Sequence, residues 1–179
     1  LLRGIVVTKS SLDVDENDDI EIVNDENYAS QGAYKLEKAF DDFPLDVNGK
    51  NCADIGCSNG GFTDCLLRHG AKHVLAVDVA DCALDAKLLE SGKVDFLKAN
   101  ARELPKNLEK VDFLCSDVSF ISLKYVLQSM FDLLKNGGEA VVLVKPQFEL
   151  DKSALTKSGI VTDEKLRKRA VESVKTYAI

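Results

Sequence analysis

Short apolar runs that stop abruptly at a polar or charged residue recur along this chain. Cys52-Ala53-Asp54-Ile55 enters the turn Gly56-Cys57-Ser58-Asn59-Gly60-Gly61, and Val74-Leu75-Ala76-Val77 stops at Asp78. Val111-Asp112-Phe113-Leu114-Cys115 leads through Ser116 to Asp117, and Val141-Val142-Leu143-Val144 stops at Lys145. Runs of this length, apolar on both faces and bounded by glycine or polar clusters, predict strands of a parallel sheet covered on both sides. We read strands near 51–55, 73–78, 94–97, 111–117 and 139–145. Helical spacing fits the intervals near 61–69, 81–90, 122–135 and 163–177. Upstream, Ala33, Leu36, Ala39, Phe40 and Phe43 recur with helical period before Pro44 and Asn48-Gly49 end the pattern. Gly137-Gly138 reads as a helix stop before the last strand. The alternation predicts an α/β fold built on a doubly wound, mostly parallel sheet.

Length fits one domain of this kind with a short appendage: 179 residues, 45% hydrophobic and 30% charged. No apolar run approaches the about 18 residues that a membrane span needs, and no signal peptide opens the chain. Leu1-Leu2-Arg3-Gly4 reads as mid-domain sequence, so we expect the natural N-terminus to lie further upstream. Residues 1–28 form a separate small unit, with Ile5-Val6-Val7 and Ile20-Glu21-Ile22-Val23 flanking an acidic run from Asp13 to Asp19. That run fails as a calcium loop, because Asp18 stands where the turn needs glycine and Asn24 where a bidentate glutamate is needed. Five cysteines at irregular spacing, with no C-x-x-C pair, argue for buried thiols in a reducing cytoplasm over a disulfide or zinc framework. A net charge of −7 implies a weak grip on nucleic acid by this stretch alone. The basic string Lys165-Leu166-Arg167-Lys168-Arg169 is flanked by Glu164 and Glu172, which makes it a solvated helix face.

In an open parallel sheet, ligands bind beyond the carboxyl ends of the strands. Gly56, Asp78, Asn100, Asp117 and Lys145 all fall there. The glycine turn admits three readings. As a G-x-S-x-G nucleophile elbow it lacks a histidine well downstream, since His69 and His73, the only two, both lie within fifteen residues of Ser58. As a dinucleotide turn it has Ser58 where the backbone must approach a pyrophosphate, which weakens an NAD-dependent enzyme without excluding it. As a turn for S-adenosylmethionine, D-x-G-x-x-x-G-G, it needs no middle glycine. In that reading Asp54, Gly56, Ser58, Gly60, Gly61 and Phe62 line the methionine end of the cofactor. Asp78 accepts hydrogen bonds from the ribose hydroxyls, and Asn100 meets the adenine edge.

Five strings carry a resemblance that runs along essentially the whole chain. They are Asp54-x-Gly56-x-Ser58-x-Gly60-Gly61-Phe62-Thr63, Ala76-Val77-Asp78-Val79, Asn100-Ala101-Arg102, Asp117-Val118-Ser119-Phe120-Ile121-Ser122-Leu123 and Val144-Lys145-Pro146-Gln147-Phe148-Glu149. On these the chain resembles the TlyA (hemolysin-like) family of ribosomal RNA methyltransferases, a branch of the FtsJ-type 2′-O-methyltransferases. The resemblance implies a Rossmann-like S-adenosylmethionine-dependent methyltransferase domain over 29–179. It also implies that residues 1–28 are the tail of an S4-like RNA-binding domain, whose basic surface would supply the missing affinity for RNA.

The family's Lys-Asp-Lys-Glu set falls on Lys35, Asp117 and Lys145, with the glutamate beyond residue 179. Ser30-Gln31-Gly32-Ala33-Tyr34 stands where the family shows Ser-Arg-Gly-Gly before the first lysine. The resemblance thus implies a cytoplasmic enzyme methylating a ribose 2′-hydroxyl of ribosomal RNA or ribosomal subunits, with Lys145 as base, Asp117 orienting it and contacting the methyl donor, and Lys35 nearby. It implies no metal, no membrane and no obligate protein partner. An inactive protein binding the same cofactor and RNA is the alternative from another class. The family name "hemolysin" suggests a pore-former, for which the chain shows no span and no amphipathic arm.

Overall fold

Five strands, each parallel to its neighbours, form one sheet in the order β3-β2-β1-β4-β5. They are β1 (Asn51–Ile55), β2 (His73–Asp78), β3 (Val94–Lys98), β4 (Val111–Ser116) and β5 (Leu134–Val142). The computed structural model describes residues 7, 13–15, 17–20, 28–81 and 84–179. The unit expected over residues 1–28, with its two strand-like segments, therefore lies largely outside the described residues.

The chain runs outward from β1 through β2 to β3, then crosses back to lay β4 on the other side of β1. The reversal opens a crevice between β1 and β4. Register brings the chemistry into line. Ile55 lies beside both Val77 and Ser116, so the next residues, Gly56, Asp78 and Asp117, emerge side by side.

Successive side chains on a strand point to opposite faces, and both faces here are covered. Cys52, Val74, Ala76, Phe113 and Cys115 join Leu36, Phe62, Cys65 and Leu66 in one core. That face carries α1 (Ala33–Asp42) and α2 (Gly61–Arg68). Ala53, Ile55, Val77 and Leu114 join Leu127, Met130, Leu133 and Val174 in the other core, beneath α4 (Leu127–Leu133) and α6 (Glu164–Ala178). Phe113 and Leu114 are fully buried on opposite faces. Each contributes about 1.5–3 kcal/mol relative to an exposed side chain.

Three boundaries differ from the sequence reading, each for a local reason. Of the helix expected over 81–90, the described residues hold α3 (Ala86–Glu90), which the Asp85 carboxylate starts by accepting from the Lys87 N–H; residues 82 and 83 lie outside the described residues. The helix expected over 122–135 divides into a 3₁₀ turn at Leu123–Tyr125, capped by Ser122, and then α4. Val126, at φ −123°, separates the two. Leu134 is already extended, so β5 begins earlier than residue 139 and ends at Val142. The β4–β5 pairing is interrupted: Val111 faces Leu134, and Phe113 faces Glu139. The surplus residues loop out through Gly137 at φ +78°, and a Cβ on Gly138 would lie 3.0 Å from the Lys135 carbonyl oxygen. The helix has already ended at Leu133, so the glycine pair is not the helix stop expected from the sequence; it permits the loop inside β5.

Candidate active site

The turn after β1 is fixed from below. The N–H groups of Gly56 and Cys57 both donate to the Val77 carbonyl, at 2.8 and 3.1 Å. Gly60 adopts φ +91°, and a Cβ there would lie 2.4 Å from Leu88 Cδ1. Gly61 opens α2 hard against the start of α1, where a Cβ would come 3.0 Å from the Ala33 backbone nitrogen. This close crossing lets α1 lean over the turn and bring Lys35 to it. Ser58 takes φ +48°, a conformation that costs a serine free energy and clusters at functional sites.

Asp54 is wholly buried beneath the turn and accepts from Thr63 Oγ1 at 2.8 Å, tying β1 to α2. Its Oδ1 has no protein partner. Burial, above all, raises its pKa from 3.8 to about 7, against the lowering effect of the Thr63 hydrogen bonds. Asp78 accepts from the N–H of Ser58 at 3.0 Å through one oxygen and from the N–H of Ala80 at 3.1 Å through the other. Each oxygen keeps a lone pair for a further donor. Asn100 accepts from the Arg102 N–H at 3.0 Å, which leaves its amide N–H groups to face the cleft. Phe62 is 6% exposed and belongs mainly to the core, with only an edge reaching the cleft.

Asp117 follows β4 and gathers both lysines. Lys35 Nζ lies 2.7 Å from Asp117 Oδ2 although the residues are 82 apart in sequence, and Lys145 Nζ lies 2.7 Å from Oδ1. The contact to Oδ1 is an ion pair whose angles fall short of a hydrogen bond, so that oxygen also lacks a hydrogen-bond partner. Lys145 further donates to the Asp117 carbonyl at 3.2 Å and to Ser119 Oγ at 2.5 Å. The side chains of Lys145 and Asp117 are 16% and 18% exposed, against 48% for Lys35. Lys145 is thus the enclosed member of the pair, and it stands just beyond β5 as the N-cap residue of α5 (Pro146–Glu149).

Two features of this rim carry no signal in the sequence reading. Phe120 is 91% exposed at φ +63°, its ring centroid 5.2 Å from that of Phe148. An aromatic ring turned to solvent at a strained backbone position is a contact surface. Glu149 accepts from the Leu123 N–H at 2.8 Å and from Ser122 Oγ at 2.6 Å, bolting the loop after β4 to the segment bearing Lys145. The histidines lie elsewhere: His69 packs against Glu37, and His73 lies 3.3 Å from Asp95.

The cleft has two lobes that share Gly56, Ser58, Asp117 and Ser119. The larger, about 560 Å³, runs past Asp78, Val79, Asn100 and Ile121; the smaller, about 340 Å³, lies over Gly61 between Lys35 and Lys145. Both fall in the range of small-molecule sites, about 300–1,000 Å³.

A doubly wound parallel sheet with a glycine turn after β1, carboxylates closing β1 and β2, and a cleft across the switch point defines a Rossmann-like methyltransferase domain. S-adenosylmethionine is the methyl donor of such a domain, and the residues fit it: Asp78 retains acceptor capacity at the larger lobe, and the unpartnered Asp54 Oδ1 is buried beneath the smaller. The chain belongs to the FtsJ-like methyltransferase family, whose profile matches residues 28–178. It is 40% identical to Hemolysin A of Brachyspira hyodysenteriae, over 96% of this chain and 73% of that one. It is 39% identical to the 16S/23S rRNA (cytidine-2′-O)-methyltransferase TlyA of Mycobacterium tuberculosis, over 97% of this chain and 66% of that one. A solved structure described as a hemolysin, from Lactococcus lactis, superposes with a TM-score of 0.80 at 39% identity, covering 84% of this chain and 74% of that one. The chain thus spans about two thirds to three quarters of the length of these three. Among the described residues, no helix is long and apolar enough to cross a membrane.

Proposed function

We propose that this protein transfers a methyl group from S-adenosylmethionine to a ribose 2′-hydroxyl of ribosomal RNA, in the cytoplasm and on a ribosomal subunit. The observation that carries this reading is the Lys35–Asp117–Lys145 arrangement, two ammonium groups on one carboxylate at the rim of the cofactor cleft. The name of the Mycobacterium relative, a cytidine-2′-O-methyltransferase of rRNA, supports it.

The bound cofactor supplies an electrophilic methyl on a sulfonium sulfur. The protein's part is to present the hydroxyl oxygen and take its proton. Lys145 Nζ is the proton acceptor, once it has given a proton of its own to solvent. Two ammoniums share one carboxylate, which leaves a surplus positive charge at the rim. Asp117 fixes Lys145 against the Ser119 hydroxyl. Lys35, the more exposed, faces the negative ribose-phosphate backbone. Holding oxygen and methyl carbon about 3–3.5 Å apart supplies much of the remaining acceleration.

The acidic balance of the chain fits a division of labour, in which an S4-like unit that includes residues 1–28 provides most of the RNA affinity. Labelled S-adenosylmethionine incubated with the protein and ribosomal subunits should place label in 2′-O-methylnucleosides after digestion. Label confined to bases, or cofactor binding with no transfer, would overturn the assignment.

Phe120 suits a nucleobase lifted out of its stack, because an exposed ring accepts the face of any base. Base–aromatic stacking is worth about 1–3 kcal/mol. Phe120→Ala should therefore lower kcat/KM for RNA by about 5–150-fold; because Phe120 also lines the larger lobe, calorimetric S-adenosylmethionine binding measured beside it separates the cofactor contribution from the loss of stacking.

A further inference from the structure

On the side of α1 away from Lys35, three donors crowd one oxygen. Glu37 Oε1 receives the Tyr28 hydroxyl, Cys65 Sγ at 3.4 Å and His69 Nε2 at 3.0 Å, and His69 Nε2 is also 3.0 Å from Oε2. A carboxylate oxygen offers two lone pairs in its plane, so it cannot serve three donors well. The ligand atoms of Glu37, Cys65 and His69 all lie within 4.8 Å of one another. Around a four-coordinate zinc ion, bonds of about 2.0–2.3 Å set ligand atoms roughly 3.3–3.6 Å apart. The Glu37–Cys65 and Glu37–His69 spacings lie within a few tenths of an ångström of that, and the Cys65–His69 spacing is under 4.8 Å.

We propose that Glu37, Cys65 and His69 form a structural binding site for one Zn²⁺, with the Tyr28 hydroxyl or a water as fourth ligand. Thiolate, imidazole and carboxylate together are the donor set of a borderline-soft ion, and one thiolate with one carboxylate balances its two charges. The site is built on two facing elements. Cys65 and His69 stand four residues apart on one face at the end of α2, and Glu37 projects from α1. Cys65 is fully buried, while His69 and Glu37 reach the surface, which leaves a route for an ion. Phe40 stacks on the His69 ring at 3.8 Å and holds its plane, the kind of outer support a ligating histidine needs.

Protons balance simply. Cys65 releases its thiol proton to solvent, His69 binds as neutral imidazole, and Glu37 is already a carboxylate. Hydrogen bonds from Tyr28, His69 and Cys65 outweigh the opposing effect of burial and hold the Glu37 carboxyl below its ordinary pKa. Burial and then the Glu37 charge keep the free Cys65 thiol protonated, so the thiolate forms only with the ion. An occupied site clamps α1 to α2 from the side opposite Lys35, and it does not depend on the methyl-transfer reading.

Cobalt(II) is the probe. Protein stripped with a chelator and titrated with Co²⁺ should saturate at one ion per chain, with a near-ultraviolet thiolate-to-cobalt band and the intense visible bands of four-coordinate cobalt. One equivalent of Zn²⁺ should displace it, and the Tm should rise with Zn²⁺ concentration. Cys65→Ser should abolish the thiolate band, and His69→Gln, at a part-exposed position that tolerates change, should weaken binding at least tenfold. Absence of a saturable band, or a band unchanged in His69→Gln or persisting in Cys65→Ser, would overturn the site.

Discussion

Replacing Lys145 by alanine is expected to lower methyl transfer by about 10²–10⁴-fold, the usual contribution of a positioned acid–base group. Binding of S-adenosylmethionine should survive, because the larger lobe is built by Gly56, Asp78, Asn100 and the segment Val118–Ile121 without the lysine stem. The fold should survive as well, since Lys145 belongs to neither core. The measurement is single-turnover transfer to ribosomal subunits beside calorimetric cofactor binding, for wild type and variant. Equal rates in the two proteins would remove Lys145 from the chemistry. A loss of cofactor affinity that accounts for the whole rate effect would recast it as a binding residue. Lys35→Ala offers a comparison within the same site: its exposed ammonium shares Asp117 but lies less enclosed, so its removal should cost less.

Asp54→Asn should reverse its effect on relative stability with pH. The Asp54 carboxyl titrates at about 7 in the folded protein against 3.8 ordinarily, because burial opposes its charge. A folded pKa above the unfolded one means that the protonated form favours folding. That contribution is complete below about pH 4 and is lost as pH rises through 7. A shift of this size corresponds to roughly 4 kcal/mol at most, at about 1.36 kcal/mol per unit. Asparagine keeps an oxygen for the Thr63 hydroxyl and carries no charge, so the variant escapes the penalty. Urea unfolding at pH 5 and pH 8 should show the variant gaining on wild type by about 2.5 kcal/mol across that interval. A gap that stays constant with pH would place the charge elsewhere.

The sheet was legible in the chain because its strands are buried on both faces, which makes them read as apolar runs with sharp ends. Asp78, Asn100 and Asp117 could be put at strand ends from that pattern alone. The register that sets Gly56, Asp78 and Asp117 abreast could not, since parallel pairing leaves no local trace. Lys35 was reached only through resemblance: it sits on a helix 82 residues before its partner, and what brings it in is the bare backbone of Gly61 letting α1 press close. The break at Val126 eluded helical spacing because Leu123, Leu127 and Met130 keep the same face on either side of it. Phe120 read as one more apolar residue, and only its positive φ turns it outward. The Glu37, Cys65 and His69 cluster was invisible for the same reason as Lys35, its members being joined by the α1–α2 crossing rather than by spacing.

Glu149 gives the rim a mechanical property. By grasping Ser122 and Leu123 it makes the loop that carries Phe120 and the stretch that carries Lys145 a single lever. Under the proposed function, a base seated on the ring would be coupled through this tie to the position of the amine. Discrimination among nucleotides would accordingly be exercised on turnover more than on capture.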